Sequence, residues 1–284
     1  MTVLARILLV ACALGTALPG PADAGASRVV SINLCTDQLT VLLADRETIL
    51  SVSILADDPN LSYVADRVDG LPRNNGMAEE ILALSPDLVL AGPFRQNTVL
   101  AILRARGVPV LELGLAEDFT TIAEQTRTVA RALGVPERGE ALIERMNATL
   151  AAAKPAAETG PGRPAAAIYQ ANGFTAGAGT LPDTVLKAAG FENVAARAGI
   201  VGYGYLTIEQ LLTAAPDLLI AEHPQDGPPS LAHELLRHPA IRRIGSAMAM
   251  AAVPRGTLAC GGPFTAEAVA ALAEWRLKLE REAP

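Results

Sequence analysis

Three histidines, two cysteines beyond residue 24 and 30 acidic side chains are what this chain offers for covalent or metal chemistry, and few of them form a constellation. His223, His233 and His238 all lie in the final third, and only His223 follows an apolar, strand-like run. A three-ligand metal site drawn from both halves therefore cannot be assembled from histidine. His233 and His238 read as surface or helix-end groups. Cys35 and Asp37 imitate a nucleophile with an acidic neighbour, yet no histidine is near in sequence to act as base. There is no Gly-x-Ser-x-Gly elbow, no phosphate loop ending in Gly-Lys-Ser/Thr and no dinucleotide fingerprint after the first strand. Gly177-Ala178-Gly179-Thr180 reads as a turn feeding a helix. No catalytic residue, resident metal or cofactor is assigned on this basis, and the expected chemistry is that of binding. An exported enzyme using the Cys35 and Asp37 loop is the alternative.

A long internal repeat shows how the binding groups would be positioned. Glu79-Glu80-Ile81-Leu82-Ala83-Leu84-Ser85-Pro86-Asp87-Leu88-Val89-Leu90-Ala91 returns as Glu209-Gln210-Leu211-Leu212-Thr213-Ala214-Ala215-Pro216-Asp217-Leu218-Leu219-Ile220-Ala221. The offset is constant, since 209 − 79 = 130 and 216 − 86 = 130. A repeat this long means two similar lobes rather than a short-period solenoid. Each copy reads as a short helix, a Pro-Asp turn and a buried parallel strand. Glu79 and Glu209 then project from corresponding points on one face.

Strands and helices alternate around this repeat. Strands are expected at 29–32, 48–52, 88–91 and 108–113, and helices at 97–106 and 118–133, each helix stopped by a glycine. Pro136 opens a helix running to about 153, with Leu142, Met146 and Leu150 on one stripe. The stretch 154–164, rich in Pro, Gly and Ala, reads as a connection. The second lobe opens with a strand at 165–169, followed by helices at 184–189 and 231–236, a strand at 250–253 and a final helix at 265–280. The fold class is α/β: two Rossmann-like lobes with parallel sheets, joined by one long α-helix. The expected boundaries are 25–135 for the first lobe, 136–154 for the linking helix and 155–284 for the second. A helix resists bending where extended crossover strands would hinge, so relative lobe motion should be small.

Ligands of open parallel sheets lie in the loops after the carboxyl ends of strands. Those loops are 33–37, 56–63, 92–96, 170–175, 222–226 and 258–264, with 202–205 in addition. Aromatics are 4% of the chain, and Tyr63, Phe94, Tyr169, Phe174, Tyr203, Tyr205 and Phe264 fall in or beside these loops. Large rigid rings there suit a bulky, partly apolar ligand. Arg73, Arg95 and Arg255 lie near the same loops and suit an anionic or carbonyl-rich one. The candidate ligand-binding set is Asn33, Cys35, Asp37, Tyr63, Arg73, Arg95, Tyr169, Phe174, Tyr205 and Cys260. Cys35 and Cys260 are either a bridge across the lobes or two separate thiols beside the ligand.

The opening segment stands apart. Residues 1–24 carry one base, Arg6, then an apolar run from Ile7 to Leu18 and the small-x-small end Ala22-Asp23-Ala24, the pattern of a cleavable signal peptide. Leu9-Val10-Ala11-Cys12 resembles a lipoprotein box, but five residues between Arg6 and Cys12 are too few for a signal core, so a lipid anchor is the weaker reading. Net charge is −7 with no basic cluster, which argues against nucleic acid and against an anionic membrane surface.

Arg28-Val29-Val30-Ser31-Ile32-Asn33, both copies of Glu-x(6)-Pro-Asp-Leu, the helix after Pro136 and Gly190-Phe191-Glu192-Asn193-Val194-Ala195 resemble, as a set, the periplasmic substrate-binding proteins of iron-siderophore, haem and cobalamin ABC importers. The resemblance runs from about residue 28 to 280. It implies a monomeric, non-enzymatic, bilobed protein of the periplasm that holds a metal chelate in a shallow cleft and delivers it to an ABC permease dimer at the inner membrane. Glu79 and Glu209 match the two glutamates that, in that family, pair with permease arginines. Zinc and manganese binders of the wider superfamily use His and carboxylate ligands from both lobes, which are missing here. Cobalamin binders place a Trp near the position of residues 73–75, whereas Trp275 lies in the last helix. The resemblance therefore orders a ferric siderophore ahead of cobalamin or haem. An extracytoplasmic sensor or adhesion module is a third reading, which predicts a partner receptor.

Overall fold

The computed structural model describes residues 25–93, 97–160, 162–221 and 249–282. In the first lobe β1 (Val29–Ser31), α1 (Leu34–Leu43), β2 (Ile49–Ser53), β3 (Arg73–Asn74), α2 (Ala78–Ala83), β4 (Leu88–Ala91), α3 (Asn97–Ala105) and β5 (Val110–Glu112) follow one another. The five strands form one sheet in the order β3-β2-β1-β4-β5, and every pairing is parallel. After α4 (Phe119–Ala132) comes the long α5 (Pro136–Ala157). The second lobe contains β6 (Ala165–Tyr169), β7 (Phe174–Ala176), α6 (Leu181–Ala188), β8 (Glu192–Asn193), α7 (Val194–Arg197), β9 (Tyr203–Tyr205), α8 (Ile208–Ala214), β10 (Leu218–Ala221), β11 (Ala249–Ala251) and α9 (Thr265–Glu282). Its parallel sheet runs β11-β10-β6-β8, with β7 and β9 paired antiparallel as a separate ribbon. The fold is two Rossmann-like lobes joined by α5.

The repeat operates at the level of atoms. Ser85 and Ala215, 130 positions apart, are two of the three non-glycine residues with positive φ among those described, at 48° and 43°. Each ends its helix in a left-handed residue just before the proline, which cannot continue a helix. Asp87 and Asp217 then clamp the start of the neighbouring central strand. Asp87 accepts the Ser27 and Arg28 N–H groups, both at 2.9 Å, and Asp217 accepts the Ala165 N–H at 2.7 Å. Arginines close the helix ends from outside, Arg28 onto the Leu84 and Ser85 carbonyls and Arg197 onto Ala214. The backbone need met by the repeated Pro-Asp turn is therefore the same in both lobes.

Several boundaries differ from the sequence reading, and two of them turn on prolines. The linking helix runs past 154 to Ala157 because Pro155 falls in its last turn, where a missing N–H and the ring clash disturb little of the ladder. The helix expected at 184–189 begins at Leu181, where Thr180 caps the Asp183 N–H and Pro182 occupies the first turn. The segments 1–24 and 231–236 lie outside the described residues.

The cores are mainly Val, Leu, Ile and Ala, as the shortage of aromatics requires. Val29, Leu39, Leu43, Leu90, Val129 and Leu133 fill one side of the first sheet, and Val30, Ile81, Val89, Leu100 and Leu103 the other. Val185, Leu186, Phe191, Leu218, Val269 and Leu272 centre the second lobe. A further cluster belongs to both: Ile122 of α4, Ile143 and Met146 of α5, Leu181 of α6 and Ala266 of α9 pack together. Apolar burial behind the seam thus welds the lobes around α5.

Candidate ligand-binding site

The lobes meet along a line of specific contacts at the carboxyl ends of their strands. At one end Cys35, in the first turn of α1, is disulfide-bonded to Cys260, with Cα atoms 5.2 Å apart. This settles the open alternative in favour of a bridge. Beside it the rings of Tyr63 and Phe264 stack at 4.4 Å, and the Tyr63 hydroxyl donates to Glu267 at 2.6 Å. Burial and the Glu267 carboxylate raise the Tyr63 phenol to about 12. Gly256 has φ of 72°, and a Cβ there would lie 2.3 Å from the Tyr63 nitrogen. A Cβ on Gly261 would lie 2.5 Å from the Ala116 carbonyl. Backbone from the second lobe therefore touches backbone of the first at two points, and only glycine permits it.

Further along, the Thr184 hydroxyl donates to the Glu117 carbonyl at 2.8 Å. Burial, and to a lesser degree the Glu117 charge, raise the Tyr203 phenol. Tyr203 stacks on Phe174 at 5.7 Å, and Tyr205 meets Phe174 edge-on at 5.8 Å. These three aromatics, expected in loops, are carried by the β7/β9 ribbon. β9 begins at the offset of the repeat from β3, since 203 − 73 = 130. In the first lobe this strand joins the sheet beside β2; in the second it leaves the sheet and pairs with β7.

The expected ligand residues separate into groups. Asp37 and Tyr169, expected at the ligand, are 0% exposed in this structure, so neither side chain reaches the surface. Position 37 lies inside α1, because the helix starts at Leu34 rather than after the loop 33–37, and its carboxylate accepts from the Ser53 N–H and hydroxyl. Tyr169 is the last residue of a buried central strand. Asn33 caps α1 through the Cys35 N–H and ties itself to the Pro93 carbonyl. Arg73 pairs with Asp57 at 3.1 Å and donates to the Val68 and Leu71 carbonyls. Tyr63, Cys35 and Cys260 hold the lobes together, as above. Phe174 and Tyr205 stand on the ribbon, with Tyr205 69% exposed. Arg95 and Phe94 lie outside the described residues.

Sequence reasoning missed an apolar rim. Ile54, Leu55 and Leu61 follow β2, Met77 follows β3 and Leu115 follows β5, and all are exposed. Val201, 82% exposed, and Tyr203 add to it from the second lobe. The available signal was apolar residues placed in loops rather than in periodic segments. Exposed apolar groups gathered at strand ends mark a binding surface. Among the described residues no group of three His, Cys, Asp or Glu side chains is placed to hold a metal ion.

Comparison with known proteins agrees with this geometry. The profile of the family described as "Periplasmic binding protein" matches residues 29–252. A cobalamin-binding protein of Halobacterium salinarum is 28% identical over 200 residues, covering 70% of this chain and 54% of its own. The chain thus spans about half the length of the curated relatives it matches. Among solved structures, the apo periplasmic heme-binding protein RhuT from Roseiflexus sp. RS-1 superposes with a TM-score of 0.74 at 29% identity, over 90% of this chain and 99% of that one. The periplasmic vitamin B12-binding protein BtuF of Vibrio cholerae shares the fold, with a TM-score of 0.69 at 20% identity over 91% and 99% of the two chains. These neighbours are binding proteins, not enzymes. With two parallel-sheet lobes clamped at their carboxyl edges around one long helix, and a profile match across most of its length, the chain belongs to the periplasmic binding protein family.

Proposed function

We propose that the protein is the extracytoplasmic substrate-binding component of an ABC importer, and that its cargo is a metal tetrapyrrole, a corrinoid or a haem, held at the seam between the lobes. The observation that carries this reading is the set of exposed apolar and aromatic side chains, Ile54, Leu55, Leu61, Met77 and Leu115 after the strands of the first lobe and Tyr203 and Tyr205 on the ribbon of the second. A broad macrocycle buries much apolar surface against such side chains. A ferric siderophore, ranked first from the sequence, stands second on this reading, because the rim offers apolar and aromatic surface. Arg73, one of the arginines named from the sequence, is tied to Asp57 and to backbone carbonyls. The ligands for which the relatives are named, heme, vitamin B12 and cobalamin, support the same class.

Delivery to the permease rests on Glu79 and Glu209. Each is the second residue of a short helix that leads into a central parallel strand, α2 into β4 and α8 into β10. Such a helix must start at the sheet's carboxyl edge, so both carboxylates occupy the face that carries the seam. Exposed carboxylates there set orientation and encounter rate with a basic partner.

Tyrosine emission tests the site, because Trp275 lies on α9 under Lys278, outside the seam contacts described above. Haemin or cyanocobalamin should quench it on binding, and Tyr205→Ala should weaken binding about tenfold or more. Quenching by a ferric hydroxamate alone would return the cargo to the siderophores.

A further inference from the structure

We propose that the Cys35–Cys260 bridge is a redox-operated latch on the ligand seam: a dithiol reductant opens it and loosens the grip of the lobes on their cargo. The inference rests on the binding role above, and extends it to control of that role.

The bridge joins residues 225 apart and is the covalent tie between the lobes other than the main chain. The remaining seam contacts beside it, the Tyr63–Phe264 stack and the Tyr63–Glu267 hydrogen bond, are reversible. Cys35 sits on the turn of α1 that also suspends the rim loop. Asp37 accepts from Ser53 at one end of that loop, and Gln38 accepts the Tyr63 N–H at 2.7 Å at the other. Between these anchors stand the exposed Ile54, Leu55 and Leu61. Displacing the first turn of α1 from Cys260 therefore moves the apolar rim itself.

The two sulfurs are unequal. Cys260 is 5% exposed, whereas Cys35 is half-buried, so Cys35 is the more open side of the bridge. Cys35 is the second residue of a ten-residue helix whose first-turn N–H groups and dipole stabilise a thiolate. Stabilising the reduced form makes a disulfide easier to reduce. In the step itself a thiolate of the dithiol attacks the Cys35 Sγ, the Sγ–Sγ bond breaks, and Cys260 leaves as a thiolate that takes a proton. The second thiolate of the reductant then closes onto its own mixed-disulfide sulfur, releases Cys35 and leaves the reductant oxidised to its disulfide. Residues 25–284 contain no third cysteine to divert the exchange.

The test treats folded, oxidised protein of residues 25–284 with dithiothreitol and follows amide hydrogen exchange, with dissociation of cyanocobalamin or haemin measured in parallel. The latch predicts exchange at least tenfold faster in segments 53–64 and 254–264, little change in β1, β4, β6 and β10, and cargo release at least fivefold faster. The double variant Cys35→Ser, Cys260→Ser should behave as the reduced protein does. Exchange that is unchanged, or accelerated evenly throughout, would overturn the proposal and leave the bridge a passive staple. Because exchange needs no cargo, failure of both tetrapyrroles to bind would count against the ligand assignment while the exchange pattern still decides the latch.

Discussion

Burial pushes the Asp37 carboxyl up from its ordinary 3.8 to about 6, against hydrogen bonds from Ser31 and Ser53 and the Arg73 charge, all of which pull it down. Between those values the folded protein holds a proton that the unfolded chain has released. Stability contributed by this group is therefore present below about pH 4 and is lost as pH rises through 6, by up to about 3 kcal/mol. Asp37→Asn removes that slope. Urea midpoints at pH 4 and pH 7 should show the variant gaining about 2–3 kcal/mol on the parent across the interval; parallel profiles would contradict the burial argument. At the same scale, Tyr63→Phe removes one hydrogen bond to Glu267 and keeps the stack. It should cost about 1 kcal/mol in a denaturant melt, well below the cost of Tyr63→Ala.

At the scale of elements, the left-handed residues before each proline are the most exacting feature of the repeat. Ala215 has φ of 43° and ψ of 63°, a conformation that costs an L-residue roughly 1–2 kcal/mol and glycine almost nothing. Ala215→Gly should therefore raise stability by about 0.5 kcal/mol after the larger entropy of the unfolded glycine is deducted, measured by thermal or urea melts. The helix, Pro-Asp turn and buried strand of each copy were legible because they answer local needs: a helix stop, a cap and an apolar run. The ribbon was not, since Tyr203-Gly204-Tyr205 and Phe174-Thr175-Ala176 are too short for periodicity and pair only through tertiary contact. Asp37 was misplaced for a related reason. A polar residue two positions after a cysteine reads as loop until the Asn33 cap shows the helix starting before it. The disulfide needed coordinates as well, because sequence cannot report that two loops 225 residues apart meet.

On the scale of the whole molecule, shared apolar packing among α4, α5, α6 and α9 and the seam contacts at the strand ends hold the lobes from both sides. On chain-entropy grounds a bridge closing so long a loop is worth roughly 5 kcal/mol, so reduction should lower the denaturation midpoint as well as loosen the seam. Docking is testable separately from binding. With Glu79→Ala and Glu209→Ala together, uptake by a reconstituted transporter should fall at least tenfold while cargo affinity stays within about twofold; unchanged uptake would remove the docking role. The central claim, that this seam holds a metal tetrapyrrole, is tested most directly by calorimetric titration of residues 25–284 with cyanocobalamin, haemin and a ferric hydroxamate in turn. The account predicts saturable binding of a tetrapyrrole at about micromolar or tighter dissociation constants, near −8 kcal/mol or better. Saturation by the hydroxamate alone, or by none of the three, would contradict it.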